Sequence, residues 1–257
     1  MVKSIYSIAK NTFREAIRDR VLYNLVLFVL LLTACAAVLG ELTAGQEART
    51  IISIGLNAML AFGTFIAIFV GVGLVSKEVE KRTLFAILAK PVTRSEFVIG
   101  KYFGLCLTLL VNVAVMGGGV TLALIYVGGS AKAFSIWGGI FLIFLELSIT
   151  TSIALLFSSF STPALSALLT FFVFVIGHLS SSLRDLAGGL HSTAAAYFFE
   201  GVYYILPNLA HFSFRTEAAN GMVPGILMLS AATAYAAAYI SILLTITTLI
   251  FNRRNFK

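Results

Sequence analysis

The stretch KEVEKRTLFAILAKPVTRSEFVIGK, Lys77 to Lys101, packs six cations and three carboxylates into 25 positions between two long apolar runs. Charge so concentrated has no place in hydrocarbon, where an Asp, Lys or Arg at a helix centre costs about 2.5–3.5 kcal/mol on insertion scales. The flanking runs, Ile51–Val75 and Tyr102–Val127, each exceed the roughly 20 residues with which a helix crosses a bilayer. The charged stretch therefore reads as an aqueous connection between two membrane spans.

Outward from it the chain stays apolar. Hydrophobic residues make up 59% and charged residues 11%, where a soluble domain carries about 25% charged residues. The expected fold is an all-α integral membrane protein, a single transmembrane domain over residues 1–257 with six transmembrane helices at 21–39, 51–75, 102–127, 134–157, 164–179 and 223–251. The fifth run is short and borrows from its flanks or leans on neighbours. Cys35 and Cys106 both lie in apolar runs, the pattern of small buried hydrophobes rather than of a disulfide framework. Leu32-Thr33-Ala34-Cys35 resembles a lipoprotein cleavage box, but the apolar run continues through Leu39 and the basic region before it is too long for a signal peptide.

Cation placement gives an orientation. With residue 1 inside, the inner segments hold Lys3, Lys10, Arg14, Arg18, Arg20, Lys77, Lys81, Arg82, Lys90, Arg94, Lys101, Arg253, Arg254 and Lys257, leaving Arg49, Lys132, Arg184 and Arg215 outside. The positive-inside rule then predicts both termini and the charged stretch in the cytoplasm and residues 180–222 on the exoplasmic side. The net charge of +7 answers to anionic lipid headgroups, not to nucleic acid. Residues 1–20 place Ile5, Ile8, Ala9, Thr12, Phe13, Ala16 and Ile17 on one helical face and Lys10, Arg14 and Arg18 on the other. Too charged to span, this helix is expected along the inner leaflet, as an anchor or as a contact for a cytoplasmic partner.

Within the charged stretch, Thr83–Lys90 reads as a short helix stopped by Pro91, which disfavours helix in the residue before it. Thr93 and Glu96 then have capping-box spacing for the helix that enters the third span. Leu84, Phe85, Ile87 and Leu88 give the short helix more apolar surface than a solvated loop needs. Chemistry alone leaves two readings: an inner-leaflet loop obeying topology, or a docking knob for a cytoplasmic protein.

The order Glu80, Thr83, Leu88, Pro91, Val92, Arg94, Gly100, Lys101 resembles the signature of the permeases of type-2 ABC (ATP-binding cassette) exporters. Where that family often has Gly before the motif Thr, this chain has Arg82. The resemblance implies that 83–90 is the coupling helix seated in a nucleotide-binding subunit, with Glu80, Arg82, Thr83, Leu84, Phe85, Ile87, Leu88, Pro91 and Arg94 as the contact. It also implies two copies of a cytoplasmic ABC ATPase carrying ATP and Mg, and a second permease copy or paralogue in the bacterial inner membrane. Short exoplasmic re-entrant helices before the last span are implied too, for which Tyr197, Phe198, Tyr203, Tyr204 and Pro207 are the candidates. Aromatics favour the membrane interface in any case.

The chain has no G-x-x-x-x-G-K-[ST] loop, since Gly100-Lys101 is followed by Tyr102, so it is not expected to bind ATP or act as an enzyme by itself. His178, His191 and His211 lack ligand spacing, and no cofactor or metal is expected. Glu146 is the one carboxylate near the middle of a span. It should face the bundle interior, as structural glue hydrogen-bonded to Asn57, Asn112, Thr150 or Thr151, or as part of a substrate path. Gly117-Gly118-Gly119 and Ala231, Ala234 and Ala238 read as close helix packing. The expected function is that of an exporter permease driven by a separate ATPase. The alternatives are a secondary transporter or channel, for which one intramembrane carboxylate is thin support, and a non-transporting membrane sensor docked to a cytoplasmic partner.

Overall fold

In the computed structural model, residues 2–17, 27–28, 31, 45–80, 93–180 and 193–253 are described. Helix α1 covers Val2–Ala16, α2 Glu47–Glu80, α3 Arg94–Tyr126, α4 Ile136–Ser158, α5 Pro163–His178, α6 Thr193–Ile205, α7 Arg215–Ala219 and α8 Ile226–Arg253. Short 3-10 turns stand at Ser130–Lys132 and Leu209–Phe212, and the described residues contain no strand.

Four helices are long and apolar enough to cross a membrane: α2 over Glu47–Gly73, then α3, α4 and α8. The fifth expected span falls on α5, an apolar helix of 16 residues that is shorter than these four, about 24 Å at the usual rise. The first, 21–39, lies almost wholly outside the described residues, although Phe28 is buried edge-on to Phe62 of α2, with ring centroids 6.0 Å apart.

A helix that is apolar all round must be buried or face lipid, and neighbours decide which. In α4, 78% of the apolar window is buried, against 22% in α8, so α4 is the centre and α8 an outer post. Helices α2, α3, α5 and α8 all pack on α4. The hydroxyls of Ser148, Thr150, Thr151 and Ser152 are buried there, yet each donates to a carbonyl three or four residues back in α4 itself. That local satisfaction lets polar residues sit in the core without cross-helix partners.

Packing by small residues differs from the sequence expectation. A Cβ on Gly117 would lie 2.8 Å from the Ile140 side chain, but Gly118 and Gly119 have nothing within 4 Å. On α8 the buried small residues are Ala232 and Ala236, one step round from the expected positions, while Ala231, Ala234 and Ala238 are exposed. An apolar alanine row cannot say from sequence alone which side meets protein, because lipid accepts either.

Beyond α6 the chain turns back into the bundle. Pro207, Leu209, Phe212, Phe214, Ala218 and Ala219 are buried. Asn208 fixes the turn: its Oδ1 accepts from the Ala210 N–H at 3.2 Å and from the Ser180 hydroxyl at 2.6 Å, and its own N–H donates to the Tyr235 hydroxyl at 3.0 Å. The Tyr239 hydroxyl donates to the Ile205 carbonyl at 2.7 Å. Gly177 permits the approach, since a Cβ there would lie 2.7 Å from the Pro207 carbonyl oxygen.

Candidate functional site

Two places combine polar chemistry with constraint. The first is the elbow on either side of the charged stretch. Helix α2 has 34 residues, about 51 Å long against a hydrocarbon core of about 30 Å, so it outruns its apolar window. Its last residue is Glu80. Residues 81–92 lie outside the described residues, and with them the expected short helix and Arg82, Thr83, Leu84, Phe85, Ile87, Leu88 and Pro91.

On the far side the capping box is formed. The Thr93 N–H donates to Glu96 Oε2 at 3.0 Å, and the Glu96 N–H donates to Thr93 Oγ1 at 3.3 Å. The first of these bonds holds the Glu96 carboxyl below the usual carboxylate range, because the bond favours the charged form. Thr93 is extended, with φ −76° and ψ 153°, the geometry that lets a side chain cap the helix it precedes.

Three helices meet just past this cap. Arg94 donates to the Phe251 carbonyl at 2.8 Å and the Asn252 carbonyl at 3.1 Å, satisfying the open end of α8 with a cation where the helix dipole favours one. Phe97 stacks on Phe251, centroids 5.9 Å apart. On the other face, α1 lies against Gly100 and Gly104. A Cβ on Gly100 would come 2.8 Å from Ile8, and one on Gly104 would come 2.6 Å from the Thr12 Cβ and 2.7 Å from the Ala9 carbonyl oxygen. Lys101, 2% exposed, sits 3.8 Å from Glu15 and 5.8 Å above the Phe97 ring. The amphipathic face expected on α1 is therefore spent partly on protein: Thr12 and Ala16 are buried against α3, while Lys3, Tyr6, Ser7, Lys10, Asn11 and Arg14 form the exposed stripe. Just past the charged stretch, α1, α3 and α8 are thus joined at one place.

The second place is in the core. Glu146 stands near the middle of α4, 1% exposed, with its Oε1 3.0 Å from Nε2 of His178 at the end of α5. The other ring nitrogen, Nδ1, is 3.2 Å from the Phe174 carbonyl oxygen. The expected interior position of Glu146 stands, and its expected partners are corrected. Asn57 is exposed and donates to the Ser53 carbonyl. Asn112 is buried but donates to the Thr108 carbonyl. Thr150 and Thr151 hydroxyls bond the backbone carbonyls of Glu146 and Leu147, not the carboxylate. Short polar side chains on a helix find their own carbonyls first, which leaves the carboxylate to a residue from another helix.

Tyr197, Phe198, Tyr203 and Tyr204 all fall in α6, where Tyr197 and Tyr204 are 70% and 72% exposed, and Pro207 is buried just beyond it. Among the described residues, no group of three or more metal-ligating side chains converges.

Sequence reasoning missed Glu15, Gly104 and His178. The four-residue spacing of Gly100 and Gly104 is a close-packing signal in apolar helices, and it begins at the last glycine of the motif. Glu15 and His178 carry no local signal, since each acquires its role from a residue far along the chain.

Compared with known protein families, the chain matches ABC-2 family transporter protein over residues 6–256. Among curated proteins none matches it.

Proposed function

Because the chain belongs to the ABC-2 transporter family, we propose that it is the six-span permease subunit of an ABC exporter, moving its substrate across the cytoplasmic membrane with ATP hydrolysed by a separate nucleotide-binding subunit. In this reading 21–39 is the first span and 83–90 the coupling helix. Both termini and the elbow face the cytoplasm, α6 and the turn after it form the exoplasmic re-entrant segment, and two ATPase subunits serve a pair of permease chains.

The observation that carries the reading is the breadth of the family match, which runs from α1 through the charged stretch to the last helix. The elbow supports it, because a capped helix start clamped to α1 and α8 gives a push delivered at 81–92 a stiff path into the bundle. The sequence contains no phosphate-binding loop, which fits ATP being bound by a partner.

The test is a double substitution, Leu84→Asp with Leu88→Asp, placing charge on the apolar face expected to dock, where an unpaired buried charge is strongly disfavoured. The variant should insert normally, lose co-purification of a tagged ABC ATPase encoded with it, and lose the chain's effect on ATP hydrolysis. Retention of both at parental levels removes the docking assignment.

A further inference from the structure

We infer that Glu146 and His178 form a proton-binding site inside the helical bundle, at which one proton shared between carboxylate and imidazole fixes the end of α5 against the middle of α4. The hydrogen inventory carries this. The Phe174 carbonyl can only accept, so its 3.2 Å contact with Nδ1 uses an Nδ1–H. Nε2 then bears a hydrogen only if the ring is a cation; in the neutral ring it is a lone pair facing Glu146 Oε1 at 3.0 Å. An oxygen and a nitrogen that close repel unless a proton lies between them.

Two arrangements meet the requirement, a carboxylic acid beside a neutral ring or a carboxylate beside an imidazolium. Both hold the same number of protons and no net charge. The pair can therefore stand in an apolar core, where an isolated ionised carboxylate could not. Its protons belong to the two groups jointly. The contact lacks the alignment of a straight hydrogen bond, so charge attraction, which needs no such alignment, is what a proton on the pair supplies.

Among the described residues, the surroundings leave this pair as the site of proton exchange. Of the elements packed on α4 and α5, α2 carries charged residues only near its two ends, at Glu47, Arg49, Lys77, Glu78 and Glu80, and α7 contributes Arg215, whose charge acts on His178. Helix α8 contributes Tyr235 and Tyr239, occupied with Asn208 and the Ile205 carbonyl. Helix α3 contributes Tyr102, whose hydroxyl lies 3.5 Å from the Ser148 carbonyl, and the 3-10 turn contributes His211, exposed and edge-on to Tyr235. His178 ends α5, Gly177 beside it touches Pro207 and Leu209, and Ser180 holds Asn208. Loss of the proton would loosen that end of α5 and, through it, residues 206–212.

The experiment uses the full chain in phospholipid nanodiscs, with 15N-labelled histidine and amide hydrogen exchange followed from about pH 5 to 9, which spans the range of about pH 5 to 8 in which imidazole commonly titrates. His178→Gln identifies the ring signal among the three histidines. The ring signal and the exchange of amides 174–180 and 206–212 should change at one pH. Corrected exchange should rise roughly tenfold on the alkaline side, the scale of one hydrogen bond to a charged group. Glu146→Gln, which keeps the shape but cannot share the proton, should abolish the joint step. A His178 ring that titrates identically in parent and Glu146→Gln, or titrates without any change in exchange, overturns the inference. If Glu146→Gln does not assemble, the parent and His178→Gln decide it: the step must appear in the first and vanish from the second. None of these readouts involves the ATPase, so they stand or fall apart from the proposed transport role.

Discussion

At the scale of single residues, glycine shows how one hydrogen in place of a methyl sets an interface. Gly104 and Gly118 lie on the same helix, but a Cβ on Gly104 would strike the Thr12 Cβ at 2.6 Å and the Ala9 carbonyl at 2.7 Å, whereas a Cβ on Gly118 meets nothing within 4 Å. Backbone atoms of a packed helix cannot swing aside as a side-chain tip can. Gly104→Ala should therefore lower stability by about 1–3 kcal/mol through overpacking, and Gly118→Ala should leave it unchanged or raise it by up to about 1 kcal/mol through helix propensity. Apparent melting temperatures of the two purified variants should move in opposite directions, or only the first should move. An equal fall in both would mean that α1 does not sit on Gly104. At the Glu146–His178 pair, Glu146→Leu removes the partner of His178 and leaves a half-buried imidazole facing hydrocarbon. Yield of folded protein should drop several-fold, while Glu146→Gln stays near the parent because the amide retains a hydrogen-bonding group. Size-exclusion recovery from membranes gives the comparison.

At the scale of elements, the start of α3 was the most legible feature in the chain. Thr93 and Glu96 announce a capping box by spacing alone, and both of its bonds are formed. The reason is that a helix N-terminus leaves donors unsatisfied whatever the tertiary context, so the signal is local and survives any packing. What the spacing could not show is why α3 begins so far before its apolar run: Arg94 reaches α8 and Gly100 admits α1, contacts that depend on chain more than a hundred residues away or on the other end of the sequence. Thr93→Ala should cost about 0.5–2 kcal/mol, the usual range for a lost N-cap, seen as faster hydrogen exchange at the amides of 95–97. The same cap gives a pH dependence with a definite sign. Folding lowers the Glu96 pKa through the Thr93 N–H. Its contribution is therefore complete above the ordinary glutamate pKa of about 4.3 and is lost as pH falls through the lowered folded value. Protection of these amides should decline only in acid, and Glu96→Gln should flatten that decline.

At the scale of the whole molecule, hydropathy located the long helices because a bilayer demands length and apolarity from any helix that crosses it. Four expected spans correspond to α2, α3, α4 and α8. The same demand hides arrangement, since an apolar helix reads alike whether the rest of the chain leaves most of it uncovered, as with α8, or buries it, as with α4. Charge restores one piece of global information, the direction in which the bundle is threaded. Fourteen of the eighteen cations fall on one side if residue 1 is inside, and loops near span ends follow that bias. The described structure adds a constraint: Lys101, Glu15, Arg94 and the α8 carbonyls cluster at one end, so α1, the elbow and residue 253 must share a side. A single cysteine at Ser95 and another at Ser192, each introduced in a background lacking Cys35 and Cys106, separate the two possible threadings. An impermeant thiol reagent on intact cells should label position 192 and spare 95 until the membrane is opened. Labelling of 95 with protection of 192 would invert the bundle, put the charged elbow outside, and leave an ATP-driven partner with no access to the segment through which it is proposed to act.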